Sequence, residues 1–147
     1  MPRSRFEIRL PSETGSILLL CVSILTVPAT WILAWIFSVA IHELGHLLMI
    51  RCLGIPVRSV CFDFSGARIE TDPMEPWQEV LCAAAGPLAG VILIWWGRWF
   101  PLSAVFACFH TVWNLIPLGN HDGARILRCL WAMVRKTPCK PGQERIQ

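Results

Sequence analysis

One uninterrupted apolar run, residues 29–50, constrains this chain most, because the motif His-Glu-Leu-Gly-His lies inside it at positions 42–46. As a helix, 22 residues are about 33 Å long, enough to cross a hydrocarbon core of about 30 Å. Two imidazoles and a carboxylate are costly in hydrocarbon unless they are paired or bound to a metal. The run therefore predicts a membrane-spanning helix that carries a functional site.

The spacing within the motif favours metal binding. On a helix, His42 and His46 lie one turn apart on one face and can bind the same ion. Glu43 lies beside them, where a general base acting on water would stand. Two other interpretations are a water-facing motif in a soluble helix and a hydrogen-bonded histidine pair without metal, and the apolar flanks argue against the first. Because a catalytic zinc usually has three protein ligands, the motif predicts a third ligand elsewhere.

Composition is that of a small membrane domain. The 147 residues are 54% hydrophobic and 16% charged, and they predict one domain over 1–147. The net charge of +3 lies largely beside apolar segments, as in cytoplasmic membrane flanks, so lipid is an expected partner and nucleic acid is not. No cleaved signal peptide is expected. The seven cysteines show no CxxC spacing and are expected to be small buried residues without disulfides.

The remaining segments complete the predicted fold. Further apolar segments cover 16–27, 77–97 and 101–116, and the first is too short to decide whether it spans. Alternating residues at 57–70 predict a short amphipathic β-hairpin, and 124–134 predicts an interfacial helix. We expect an all-α polytopic membrane protein with three to four apolar segments, that hairpin and a C-terminal interfacial helix. A Gly86/Gly90 pair predicts close packing against the helix of the motif.

The third ligand is left open by the residues themselves. His110 lies in an apolar helix and can be a ligand or a hydrogen-bonded core residue. His121 and Asp122 lie in a stretch that Pro117 and Gly119 should unwind, where a side chain can be aimed inward. Asp122 would also open the last helix, whose N-terminus favours a carboxylate.

Three stretches together resemble a known family. They are the motif at 42–46, Ala-Gly-Pro at 85–87, and Asn-Leu-Ile-Pro at 114–117 followed by Asp-Gly at 122–123. In this order, within apolar segments, they resemble the site-2 protease family of intramembrane zinc metalloproteases. The similarity is greatest to the compact bacterial branch that includes the sporulation sigma-factor protease. It covers about residues 29–133, which we take as the core of the domain.

The resemblance implies a role for each matched residue. His42, His46 and Asp122 are the expected zinc ligands, and Glu43 is the expected general base. Asn114 corresponds to a family asparagine thought to hold substrate backbone or the oxyanion. The hairpin corresponds to an element thought to pair with an extended substrate. The chain departs from the family pattern just before Asp122, where Asn120 and His121 replace a proline and an apolar residue.

The implied function is that of a zinc endopeptidase, a multipass integral membrane protein of the bacterial cytoplasmic membrane. Its expected partners are membrane lipid, a transmembrane protein substrate that unwinds locally before cleavage, and a membrane regulator. One alternative is a proteolytically inactive relative that binds a membrane partner. Another is a metal transporter, which would need a polar path across the bilayer that the other apolar segments do not provide.

Overall fold

The computed structural model describes residues 7–9, 18, 21–23, 25–63 and 66–135. The chain is mostly helical. In chain order its elements are β1 (Glu7–Arg9), α1 (Ala29–Cys52), β2 (Val57–Asp63), β3 (Gly66–Thr71), α2 (Pro76–Trp95), α3 (Pro101–Leu115) and α4 (Asp122–Arg135). The apolar segment 16–27 lies partly outside the described residues.

Within the described residues, two helices are long and apolar enough to cross a membrane, α1 with 24 residues and α2 with 20. At 1.5 Å per residue they are about 36 Å and 30 Å long. Helix α1 begins after Pro28 and ends before Gly54, whose φ of 69° suits glycine. Helix α2 begins with Pro76 in its first turn, and Glu75 and Gln78 form a capping box.

Small side chains lie inside the bundle and large apolar side chains lie outside. The buried apolar residues are mostly alanine and cysteine, whereas Leu33, Val105 and Phe109 are at least 65% exposed. Only 17% of the most apolar part of α1 and 39% of that of α2 are buried. A helix in the core of a soluble protein would bury such residues. Small interior residues that let backbones approach, with large apolar residues outside, are typical of helices in lipid.

Helices α1 and α2 approach closely at Gly45. A Cβ atom there would lie 2.5 Å from the carbonyl oxygen of Ala85 and 2.8 Å from the Cβ of Ala89. Since real Cβ atoms essentially never come within 3.0 Å of other atoms, only glycine permits this approach. The contact brings the motif of α1 against the middle of α2.

The three strands form one sheet in the order β1-β2-β3. Along the chain, β2 and β3 lie between α1 and α2. Strand β2 is antiparallel to β3, with Val60 opposite Ile69, and parallel to β1, with Ile8 opposite Val60. Residues 64 and 65, which connect β2 to β3, lie outside the described part. In the sheet as described, β3 is at an edge and pairs only with β2.

The cysteine prediction is wrong in two respects. Cys129 is disulfide-bonded, which the scattered spacing of the cysteines gave no means of predicting. Among the free cysteines, Cys82 is buried, but Cys21, Cys52 and Cys108 are exposed. An exposed cysteine is compatible with these surroundings, because many of the other exposed side chains are also apolar.

Candidate metal centre

Three buried side chains from two helices meet at one point. His42 and His46 of α1 are 2% and 8% exposed, and Asp122, the first residue of α4, is 6% exposed. The Nε2 atoms of the two histidines are 3.2 Å apart. Asp122 Oδ2 lies 3.2 Å from His42 Nε2 and 3.3 Å from His46 Nε2. One nitrogen or oxygen of each residue therefore faces the same small volume.

These separations fit a tetrahedral metal. Ligands placed about 2.0–2.1 Å from an ion at tetrahedral angles are roughly 3.3 Å apart. The three observed distances of 3.2, 3.2 and 3.3 Å match that value. Nitrogen lone pairs and a carboxylate oxygen that converge without solvent need a cation or a proton between them. The group can thus hold a metal ion.

The orientation of His46 is fixed by a backbone contact with α2. Its Nδ1 lies 2.7 Å from the carbonyl oxygen of Cys82, to which it can only donate. In that tautomer Nε2 carries the lone pair, as a metal ligand must. Burial alone would raise the pKa of Asp122, but the adjacent imidazole rings of His42 and His46 hold it below its usual range. Asp122 is therefore a carboxylate here.

The space beside the histidines exists because residue 86 is glycine. A Cβ atom at Gly86 would overlap the ring of His46 and lie 2.8 Å from His42 Nε2. A Cβ at Gly90 would instead meet the hydroxyl of Thr111 on α3. The Gly86/Gly90 pair was expected to serve helix packing, so the sequence analysis missed that Gly86 borders the metal-binding group. The available signal for this role was the position of Gly86 in the Ala-Gly-Pro stretch that matches the family.

An ion pair connects α2 to the same carboxylate. Arg125 donates from Nε and Nη2 to Glu79 Oε1, at 2.9 and 2.7 Å. The third guanidinium nitrogen, Nη1, lies 3.7 Å from Asp122 Oδ1, the second oxygen of the carboxylate whose Oδ2 contacts the histidines. Sequence reasoning missed this contact, because Glu79 lies in a stretch that resembles solvated surface. The i, i+3 spacing of Asp122 and Arg125 was the only local signal.

Glu43, Asn114 and His121 lie outside the group formed by His42, His46 and Asp122. Glu43 is half-buried and forms a second cluster with His42 and His110, whose nitrogen and oxygen ligand atoms all lie within 4.8 Å of one another. Asn114 donates from Nδ2 to the His110 carbonyl oxygen, 3.1 Å away within its own helix. Of the three candidates for the third position, Asp122 meets the histidine pair. The Nδ1 of His121 pairs instead with the Trp113 carbonyl oxygen at 3.1 Å.

Comparisons with known proteins find similarity in sequence and in fold. No model of a known protein family matches the chain. A protein of Synechocystis sp. that bears the name "Putative zinc metalloprotease" is 41% identical over 109 residues, an alignment that covers 63% of this chain. The alignment spans only 29% of that relative's length.

Among solved structures, the site-2 protease of Methanocaldococcus jannaschii matches 90% of this chain and 70% of its own, with a TM-score of 0.67 and 24% identity. The chain thus has the site-2 protease fold. The fold that the resemblance implied is therefore confirmed.

Proposed function

We propose that this chain is an intramembrane zinc endopeptidase of the site-2 protease type. One observation carries the proposal: His42, His46 and Asp122 converge with tetrahedral spacing, buried against a helix that is long and apolar enough to span a membrane. The fold and the name of the Synechocystis relative support zinc as the metal and peptide hydrolysis as the reaction.

The proposed setting is a multipass protein of the bacterial cytoplasmic membrane, with one domain over 1–147 and its core at about 29–133. Helices α1 and α2 span, and α3 (15 residues, about 23 Å) lies beside them as a shorter apolar segment. His42 is about 20 Å of helix from the start of α1 and 15 Å from its end. The site is therefore within the membrane, nearer the end that carries Arg51, the end that faces the cytoplasm by the distribution of basic residues.

The chemistry assigned to the chain is proton transfer by Glu43. When bound, zinc supplies Lewis acidity, which acidifies water toward a pKa of about 7 and polarises a carbonyl. Glu43 follows His42 directly and accepts the proton of the attacking water as the new carbon–oxygen bond forms. It then delivers that proton to the amide nitrogen as the carbon–nitrogen bond breaks. The products are a carboxylate and an amine.

The proposed substrate is a transmembrane segment that has unwound locally, since a helix hides its carbonyl groups. An extended segment can add to the edge strand β3, whose outer side has no partner strand in the described sheet. Such pairing would hold the substrate extended beside α1 and α2. The remaining proposed partners are membrane lipid and a membrane regulator.

The test compares wild type with Glu43→Gln in cells, by proteome-wide measurement of membrane-protein fragments. Glu75→Gln is the matched control, because it makes the same chemical change at an exposed position where an amide oxygen can still cap α2. Wild type and the control should produce a shared set of fragments that Glu43→Gln lacks, while zinc content stays equal in all three.

Equal fragments from wild type and Glu43→Gln would refute proteolysis by this site. Loss of zinc from Glu43→Gln would show that Glu43 is a ligand and not the base. Bound zinc with no cleavage in any variant would favour the alternative of an inactive relative that binds a membrane partner.

A further inference from the structure

His110 of α3 is a half-buried histidine that has no role in the proposed mechanism. Its ring centroid lies 4.6 Å from that of His42, and the two rings are perpendicular. Its Nε2 atom is shielded from solvent and has no hydrogen-bond partner in the described part of the chain. An unsatisfied buried group of this kind costs about 1–3 kcal/mol, so a partner from outside the chain is expected.

The location of His110 indicates what kind of group its partner is. One of its two ring nitrogens belongs to the cluster within 4.8 Å that also contains the Glu43 carboxylate and His42. It is therefore next to both the proposed base and a proposed ligand. Any peptide attacked with the help of Glu43 must place its carbonyl group within this neighbourhood.

Asn114, the residue expected to contact that carbonyl group, is directed elsewhere. Its Nδ2 donates to the carbonyl oxygen of His110, one turn back along α3. Two polar side-chain atoms of α3 are buried without a hydrogen-bond partner in the described part of the chain, His110 Nε2 and Thr111 Oγ1. Of these two residues, His110 is the one that lies in the cluster with His42 and Glu43.

We propose that His110 is a further catalytic residue, whose Nε2–H donates a hydrogen bond to the carbonyl oxygen of the peptide bond under attack. This inference rests on the proposed function. Negative charge grows on that oxygen as water adds, so a donor held in place by a rigid helix stabilises the transition state more than the ground state. Loss of one such donor typically lowers kcat by about 100- to 1,000-fold.

The test uses His110→Phe, which keeps a planar ring against His42 but removes the donor, and His110→Gln, which restores an N–H near the Nε2 position. His121→Phe is the matched control, because it changes a histidine that lies outside both clusters. Full-length, zinc-loaded proteins in detergent are titrated with two probes. Octanohydroxamate offers the metal a carbonyl oxygen, whereas octanethiol offers it a sulfur and no carbonyl.

His110→Phe should weaken octanohydroxamate binding at least about 10-fold and leave octanethiol binding and zinc affinity unchanged. His110→Gln and His121→Phe should bind both probes nearly as wild type does. Where Phe prevents folding, His110→Leu takes its place as the variant without a donor.

Unchanged hydroxamate binding in His110→Phe would overturn the inference. Equal weakening of both probes would show a packing role, and loss of zinc would show that His110 is a ligand. Because these titrations measure binding and not cleavage, they can succeed or fail independently of the Glu43→Gln experiment.

Discussion

Gly86→Ala tests whether the metal-binding group requires the space beside α2. The added methyl group would occupy the position of the His46 ring and lie 2.8 Å from His42 Nε2, inside the 3.0 Å limit of real Cβ contacts. The His46 ring cannot simply turn aside, because its Nδ1 is held by the Cys82 carbonyl oxygen at 2.7 Å.

The expected loss of zinc affinity follows from the narrow range of distances that zinc ligands tolerate. To clear the methyl group the His46 ring must retreat by roughly 1 Å, whereas zinc–ligand distances hold to within about 0.2 Å. Mutation of residues that merely orient ligands weakens metal binding about 10- to 100-fold. We therefore expect a loss of at least about 100-fold in zinc affinity, equivalent to about 2.7 kcal/mol.

Competition with a chelator of known affinity measures this loss, and far-UV circular dichroism monitors the fold. Alanine is favoured over glycine within a helix by about 1 kcal/mol, so α2 itself should not be destabilised. Gly90→Ala is the control, because its methyl group would meet Thr111 and disturb packing against α3 without touching a metal-binding residue. Zinc binding by Gly86→Ala at wild-type affinity would refute the reasoning.

Three other predictions follow from the site. The purified protein should bind about one zinc per chain by elemental analysis; a value near zero after reconstitution would contradict the metal site. Asp122→Ala should lose most zinc affinity and all cleavage, whereas His121→Ala should keep zinc and part of the activity; the reverse pattern would establish a three-histidine site. Glu79→Gln should weaken zinc binding about 10-fold, because the freed Arg125 competes for the Asp122 carboxylate, and added Arg125→Gln should restore it. Unchanged affinity in Glu79→Gln would show that this ion pair does not influence the site.

The helices could be predicted closely because local sequence determines them. The apolar run 29–50 became α1 at Ala29–Cys52, and the segment 77–97 became α2 at Pro76–Trp95. In both cases a proline precedes or opens the helix, and the length of the apolar run sets its extent. Helix α4 begins two residues earlier than the predicted 124, so Asp122 lies inside its first turn.

The assembly of the site could not be predicted from local sequence. Asp122 is 80 residues from His42, and Arg125 is 46 residues from Glu79. No periodicity or spacing connects positions so far apart, so the residues alone left His110, His121 and Asp122 all open as candidates, with the helix N-terminus as an argument for Asp122. The resemblance to a family then selected Asp122, and its role as a ligand stays a prediction.

The polar contacts of the site also hold the bundle together. His46 binds the Cys82 carbonyl and so joins α1 to α2, while Asp122 joins α4 to α1. Arg125 joins α4 to α2 through Glu79. In lipid the hydrophobic effect does not drive helices together, so close packing and hydrogen bonds of this kind carry more of the association. Metal binding, which replaces the contact between Asp122 and the two histidines with shared coordination, is therefore expected to stabilise the docking of α4 as well as to form the site.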